Sequence, residues 1–252
     1  MKKILTFLFL TLLGLNIFAQ EKTHTEIAAL YGDAIVSVNV IKKDGSTYSG
    51  TGFIIDTNGL IATAAHVIKD AFAVNFTFKN GVVSKNAIIV ATSEDTIDLA
   101  VLRIANTNLP NTILGNSDLV KPGEEITVIG NPRRLQNTIT NGLISQLRQI
   151  SPTVVWQQIS APISPSSSGS PVFNKKGEVI GIATSSLKGQ DNQNINFAIP
   201  SNYLIELLAK NNIYTTQEPC PVKKELTFFE KVKKYLKKSC DICKEQLNFI
   251  FN

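Results

Sequence analysis

Short β-rich runs broken by turn residues constrain this chain more than any other feature of it. Residues 34–40 alternate side chains at period two, as a strand with two unlike faces requires. Residues 52–56 and 60–63 flank Asn58-Gly59, the strongest short hairpin signal, because a tight turn needs left-handed backbone that Asn and Gly tolerate. Residues 71–78, 87–91 and 99–104 follow as strands, and 106–118, rich in Asn, Thr and Pro, reads as a connector. A second set follows at 125–129, 136–145, 154–159, 171–173, 179–184 and 194–198, with Lys175-Lys-Gly177 closing a hairpin. Helical patterns are few: a short helix within 26–34, and one over 201–210 with Ser201 as N-cap. Many short strands and few helices predict an all-β sandwich or pair of barrels.

The N-terminus does not belong to that pattern. Lys2 and Lys3 precede an almost wholly apolar run over 4–18, and Ala19 precedes Gln20 and Glu21. Positive start, apolar centre and small residue are the order of a secretory signal peptide, expected over 1–19. The run falls short of the about 20 residues of a membrane span, and an uncleaved anchor is the alternative. An exported protein, periplasmic or secreted, is expected.

The net charge of +5 sits at the ends. Beyond Lys2 and Lys3, residues 219–252 hold eight Lys against four acidic residues, which leaves the body near neutrality. Such a body has no electrostatic footprint for nucleic acid. All three cysteines, Cys220, Cys240 and Cys243, lie in that basic segment. An odd number in an exported chain leaves one thiol over or pairs it between chains. Phe229, Val232, Leu236, Cys240, Cys243, Leu247 and Ile250 recur at helical steps, so 210–252 reads as a basic amphipathic helical tail. Such a helix packs back on the body or on a second subunit, or meets a membrane surface or partner. Cys240 and Cys243 stand one turn apart, but no fourth ligand or βαβ context supports a metal or redox pair, and a disulfide with Cys220 is favoured; no metal and no cofactor is expected of the chain.

Three residues of the body could do chemistry together. His66 ends a strand in Ala62-Thr-Ala-Ala-His-Val67; alone, such a His is more often a hydrogen-bonded core residue. Asp98 leads directly into the apolar run Leu99-Ala-Val-Leu102, where a half-buried carboxylate needs a partner, either a backbone amide or a His ring N–H. Ser168 lies in Ser164-Pro-Ser-Ser-Ser-Gly-Ser-Pro171, ordinarily just a loop, but one that runs straight into a strand and a tight hairpin. A hydroxyl needs a base to become a nucleophile at neutral pH, and the base needs an acceptor to fix its tautomer. Ser168, His66 and Asp98 supply those roles.

These residues sit in segments that resemble the HtrA/Deg branch of the trypsin-like serine peptidases over about residues 34–208. Gly50-Thr-Gly-Phe-Ile-Ile-Asp56 with Gly59-Leu-Ile-Ala-Thr-Ala-Ala-His-Val67 is similar to that family's His motif, and Asp98-Leu-Ala-Val-Leu102 to its Asp motif. Gly115-Asn-Ser-Asp-Leu119, Pro122-Gly-Glu124 and Ile129-Gly-Asn-Pro132 resemble its inter-barrel segment, and Ile163-Ser-Pro-Ser-Ser-Ser-Gly-Ser-Pro-Val-Phe-Asn174 its Ser motif. Gly177-Glu-Val-Ile-Gly-Ile182 and Asn196-Phe-Ala-Ile-Pro-Ser201 follow in order.

The resemblance implies two six-stranded antiparallel β-barrels, one over about 34–106 and one over about 120–200, within a protease domain spanning 26–208. It implies Ser168 as nucleophile, His66 as base and then acid, and Asp98 as the orienting carboxylate. Backbone N–H groups of Ser166 and Ser168, with Ser167, would form the oxyanion hole. Ile182, Ala183, Thr184, Asn196 and Phe197 would wall the specificity pocket. The expected substrates are peptides or unfolded proteins, and a homo-oligomer is compatible with the resemblance. No acidic residue stands just ahead of the Ser motif, which favours a small or medium apolar side chain before the scissile bond.

The chain departs from that pattern in two places. Ser166 and Ser170 stand where the family usually has Gly, and Ser in a positive-φ position is strained. Only 43 residues follow Ala209, too few for the PDZ domain the family commonly carries. A silent, peptide-gripping relative is therefore the rival to an active endopeptidase. An esterase of another fold is less well supported, for no Gly-x-Ser-x-Gly elbow is present.

Overall fold

The structure is a computed structural model that describes residues 21–131, 137–186 and 195–216. The expected signal peptide at 1–19, the expected tail beyond residue 216 and all three cysteines lie outside the described residues; of that tail, 211–216 are described and are not helical.

Fourteen strands and two α-helices are described: β1 (Ile35–Lys42), β2 (Thr47–Asp56), β3 (Leu60–Ala64), β4 (Ala71–Thr77), β5 (Val83–Ser84), β6 (Ile88–Thr92), β7 (Leu99–Arg103), β8 (Ile113–Leu114), β9 (Glu125–Gly130), β10 (Thr138–Ser151), β11 (Val154–Ile159), β12 (Pro171–Phe173), β13 (Glu178–Ser186) and β14 (Asn196–Pro200), with α1 (His24–Tyr31) before them and α2 (Ser201–Lys210) after. They form two sheets. The first has the order β5-β4-β1-β2-β3-β7-β6, and the second β12-β9-β10-β11-β14-β13-β8, with β12 also pairing β13. That extra pairing closes six strands of the second sheet into a barrel, onto which β8 adds in parallel. The first sheet curls as a half-barrel; among the described residues its edge strands β5 and β6 do not meet. The all-β, two-sheet architecture expected from the sequence is present, with one barrel closed and one open.

The apolar residues sort into three clusters that explain their spacing. Val36, Val38, Val40, Ile54 and Ile61 point into the half-barrel. Ile126, Val128, Ile144, Ile159 and Val172 fill the closed barrel. The third cluster joins the two sheets: Ile35, Phe53, Ile55, Leu99 and Val101 meet Ile129, Phe173, Ile182 and Ile199. Strands β2, β3 and β7 bury both faces, one in each neighbouring cluster, and so read as near-continuous apolar runs.

Both helices cover the junction of the sheets. Thr23 and Glu26 make a reciprocal capping box at the start of α1, and Ile27 and Tyr31 are buried, Tyr31 stacked on Phe173 with centroids 5.1 Å apart. His24, the first helical residue, is half-buried: its ring nitrogens lie 2.7 Å from Thr127 Oγ1 and 3.3 Å from Asn141 Nδ2. In α2 the expected Ser201 cap is also corrected. Ser201 is the first helical residue after Pro200, and its hydroxyl donates to Gly115 O at 2.8 Å. Beyond α2, the buried Asp56 carboxylate accepts from both the N–H and the hydroxyl of Thr216 at 2.6 and 2.8 Å.

Candidate active site

Strands β3 and β7 are antiparallel neighbours with Ala64 opposite Leu99. Just beyond that pair stand His66, two residues past the exit of β3, and Asp98, one residue before the entry of β7. His66 lies on a 3₁₀ turn, Ala65–Val67, and Asp98 has a left-handed backbone with φ 52°. Asp tolerates that region better than most residues, and such outliers concentrate where a side chain must be aimed. The Ala65 N–H donates to Asp98 O at 3.0 Å, and the His66 N–H to Asp98 Oδ1 at 2.8 Å. The other carboxylate oxygen, Oδ2, is 2.7 Å from His66 Nδ1. The β-ladder thus sets His and Asp in register, with one backbone amide holding the Asp98 main chain and another its carboxylate.

Asp98 is buried, and burial pushes its carboxyl up, but hydrogen bonds from the His66 ring and the Thr184 hydroxyl hold it below the usual range. The ionised carboxylate can only accept, so Nδ1 carries a proton and Nε2 is left as the basic nitrogen. Among the described residues Nε2 has no hydrogen-bond partner. Thr184 is the residue whose role sequence reasoning missed. Expected as a pocket wall, it sits buried on β13 and donates its hydroxyl to Asp98 Oδ2. Its backbone oxygen accepts the Ser168 hydroxyl at 2.7 Å. Ser168, Thr184, Asp98 and His66 therefore form one connected line, in which the Ser168 proton rests on Thr184 O rather than on His66.

Both sheets hold the loop that carries Ser168. The Thr51 N–H of β2 donates to Ser168 O at 2.9 Å, and the Gly169 N–H to Ala183 O at 2.7 Å. Gly169 has φ 90°, and a Cβ there would lie 2.0 Å from Thr51 O, so no other residue fits at this position. Just before it, the Ser167 N–H donates to Ser164 O at 2.9 Å and Ser166 has φ 73°. With Pro165 fixing a negative φ ahead of it, this is a type II turn, which wants Gly where Ser166 stands. Holding Ser there costs about 1–3 kcal/mol. The expectation of strain at Ser166 is met, and the turn is nonetheless formed.

The backbone N–H groups of this loop divide cleanly. Those of Ser167, Gly169 and Ser170 are donated within the fold, and those of Ser166 and Ser168 have no acceptor among the described residues. Ser167, expected to share the oxyanion hole, is thereby not available as a donor. Ser170 has a negative φ, so the second Gly-to-Ser departure carries no backbone strain. Its buried hydroxyl fits only because Gly130 lacks a side chain; a Cβ on Gly130 would lie 2.4 Å from Ser170 Oγ. That hydroxyl has no hydrogen-bond partner among the described residues.

Four of the residues expected to wall the pocket lie on β13 and β14. Ile182 is buried in the cluster between the sheets and Ala183 inside the closed barrel, because neighbours on a strand face opposite ways. Asn196 donates its amide to Ala161 O at 2.9 Å, and Phe197 packs on Trp156 with centroids 5.8 Å apart. All four are buried. A cavity of about 520 Å³ among the described residues lies elsewhere, lined by Asp33, Phe78, Leu109 and Pro110 among others.

Two antiparallel β-sheets, one closed into a six-stranded barrel, with a His, an Asp and a Ser gathered where they meet, define a β-protein of trypsin-like architecture. A trypsin-like peptidase domain profile matches residues 50–182, and the chain belongs to that family. Its relatives are of the HtrA and DegP kind. It is 38% identical over 175 residues to a periplasmic, DegP-like serine endoprotease of Chlamydia pneumoniae, covering 66% of this chain and 35% of that one. It is 36% identical over 171 residues to serine protease HTRA4 of Homo sapiens, covering 65% and 35%. Among solved structures, the HtrA-type protease AlgW with tripeptide superposes with a TM-score of 0.68 at 28% identity, covering 76% of this chain and 64% of that one. A serine endoprotease from Yersinia pestis gives 0.66 at 31%, covering 76% and 67%. The chain spans about a third of the length of the curated relatives it matches.

Proposed function

We propose that the chain is a serine endopeptidase that cleaves peptide bonds of protein substrates through an acyl-enzyme, with Ser168 as nucleophile, His66 as general base and Asp98 as its orienting carboxylate. The observation that carries this reading is the line Ser168–Thr184–Asp98–His66, which leaves Nε2 as the open basic nitrogen. The Ser168 hydroxyl turns from Thr184 O toward Nε2, gives up its proton there, and Oγ attacks the substrate carbonyl. The carbonyl oxygen becomes an oxyanion facing the Ser166 and Ser168 N–H groups, each such donor contributing about 2.7–4 kcal/mol of transition-state stabilisation. His66 then gives the proton to the leaving amine, and water repeats the sequence on the ester.

The family membership and the names of the relatives support the peptidase reading, and those names together with the N-terminal pattern support export and removal of residues 1–19. The lack of an acidic residue ahead of Ser168 supports cleavage after small or medium apolar residues; a peptide library cut mainly after Arg or Lys contradicts that preference. For the activity itself, a reduced and alkylated, unfolded protein is incubated with the wild type and with Ser168→Ala. Fragments from the wild type alone are expected. No fragments from either protein favours the rival, a silent peptide-binding domain of the same fold.

A further inference from the structure

The Ser166 turn is held by hydroxyls that reach it from the opposite sheet. Ser49 and Thr51 are two apart on β2, so their side chains leave the same face of the strand. The Ser49 and Ser166 hydroxyls are 2.8 Å apart in a hydrogen bond between residues 117 positions distant. Thr51 Oγ1 donates to Ser166 O at 2.8 Å and accepts the Asn131 N–H at 2.9 Å. One bond grips the side chain of Ser166 and the other its carbonyl. Together they fix the residue on both sides of its Cα in the positive-φ state that leaves its N–H without an internal acceptor.

We infer that Ser49 is a positioning residue: its hydroxyl clasps Ser166 and holds the Ser164–Ser167 turn in the conformation that readies the oxyanion donors. The inference rests on the peptidase reading for its kinetic consequence. The clasp exists only because residue 166 has a side chain. Glycine would enter the turn unaided, so the clasp replaces the missing conformational freedom with a hydrogen bond. Thr51 acts on a backbone oxygen, and its contribution is independent of the side chain at 166.

That difference gives a test in two backgrounds. The second-order rate of labelling by a fluorophosphonate, and the urea midpoint, are measured for the wild type, Ser49→Ala, Ser49→Thr, Ser166→Gly and Ser49→Ala/Ser166→Gly. Ser49→Ala is expected to lower the rate about tenfold by depopulating the competent turn. Ser49→Thr keeps the hydroxyl and is expected to restore most of it. Added to Ser166→Gly, the same Ser49→Ala change is expected to alter the rate by less than about twofold. Thr51→Val is expected to slow labelling in both backgrounds. No loss in Ser49→Ala, or an equal loss in both backgrounds, overturns the clasp. If the wild type takes no label at Ser168, the peptidase reading fails separately and the urea cycle decides. A midpoint shift from Ser49→Ala seen only beside Ser166 upholds the clasp, and additive shifts overturn it.

Discussion

At the scale of single residues, the site depends on groups that orient other groups. Thr184 stands between Ser168 and Asp98, giving one a carbonyl and the other a hydroxyl. Thr184→Val keeps the shape and removes the donor to a buried carboxylate, an interaction worth about 1.5–3 kcal/mol. It is expected to lower kcat about ten- to hundredfold with KM little changed, and Thr184→Ser is expected to retain most activity. The buried Ser170 hydroxyl has no partner among the described residues, and Ser170→Ala is expected to leave activity intact and raise stability by up to about 1 kcal/mol in urea unfolding. His66, Asp98 and Ser168 were legible in the sequence because each sits at a recognisable strand end or turn. The parts played by Thr184 and Ser49 were not, since both bonds cross between sheets that no local pattern aligns. The Ser166 strain was legible, since a side chain occupies a place that turn chemistry reserves for Gly.

At the scale of elements, the β3–β7 ladder is what places His66 and Asp98 together, and the apolar runs over 60–63 and 99–104 marked both strands to within a residue. Short strands at the margins, β5 and β8, have only two residues each and leave no periodicity to read. Strand β10 runs on to Ser151, past the expected end near 145, because its exposed half pairs with β11 through a long hairpin. The segment after α2 is anchored by one buried carboxylate. Asp56→Ala removes the acceptor for the N–H and hydroxyl of Thr216 and for the N–H of Asn58. It is expected to cost about 1–3 kcal/mol, and to speed amide hydrogen exchange around residues 213–216.

At the scale of the whole molecule, stability resides where the two sheets meet. Phe173 is fully buried there and carries the stacked ring of Tyr31 from α1. Phe173→Ala is expected to cost about 3–5 kcal/mol and to weaken both sheets in one cooperative transition. Acid acts on the same body through two carboxylates. Burial pushes Asp56 and Asp98 up, but hydrogen bonds outweigh it, and both are held below the usual range. A carboxyl lowered in the folded state adds stability that is present above its unfolded pKa of about 3.9 and is lost as pH falls through the folded value. The urea midpoint is therefore expected to fall on acidification below about pH 4, and Asp56→Asn or Asp98→Asn is expected to flatten that fall.

The central claim is that Ser168 is a nucleophile activated by His66. Wild type, Ser168→Ala and His66→Ala are each treated with a fluorophosphonate, weighed intact and mapped by peptide mass. One phosphonyl adduct is expected on the wild type, located on Ser168, with none on Ser168→Ala and strongly slowed labelling of His66→Ala. Equal labelling of all three proteins, or an unlabelled wild type that is otherwise folded, would contradict the claim.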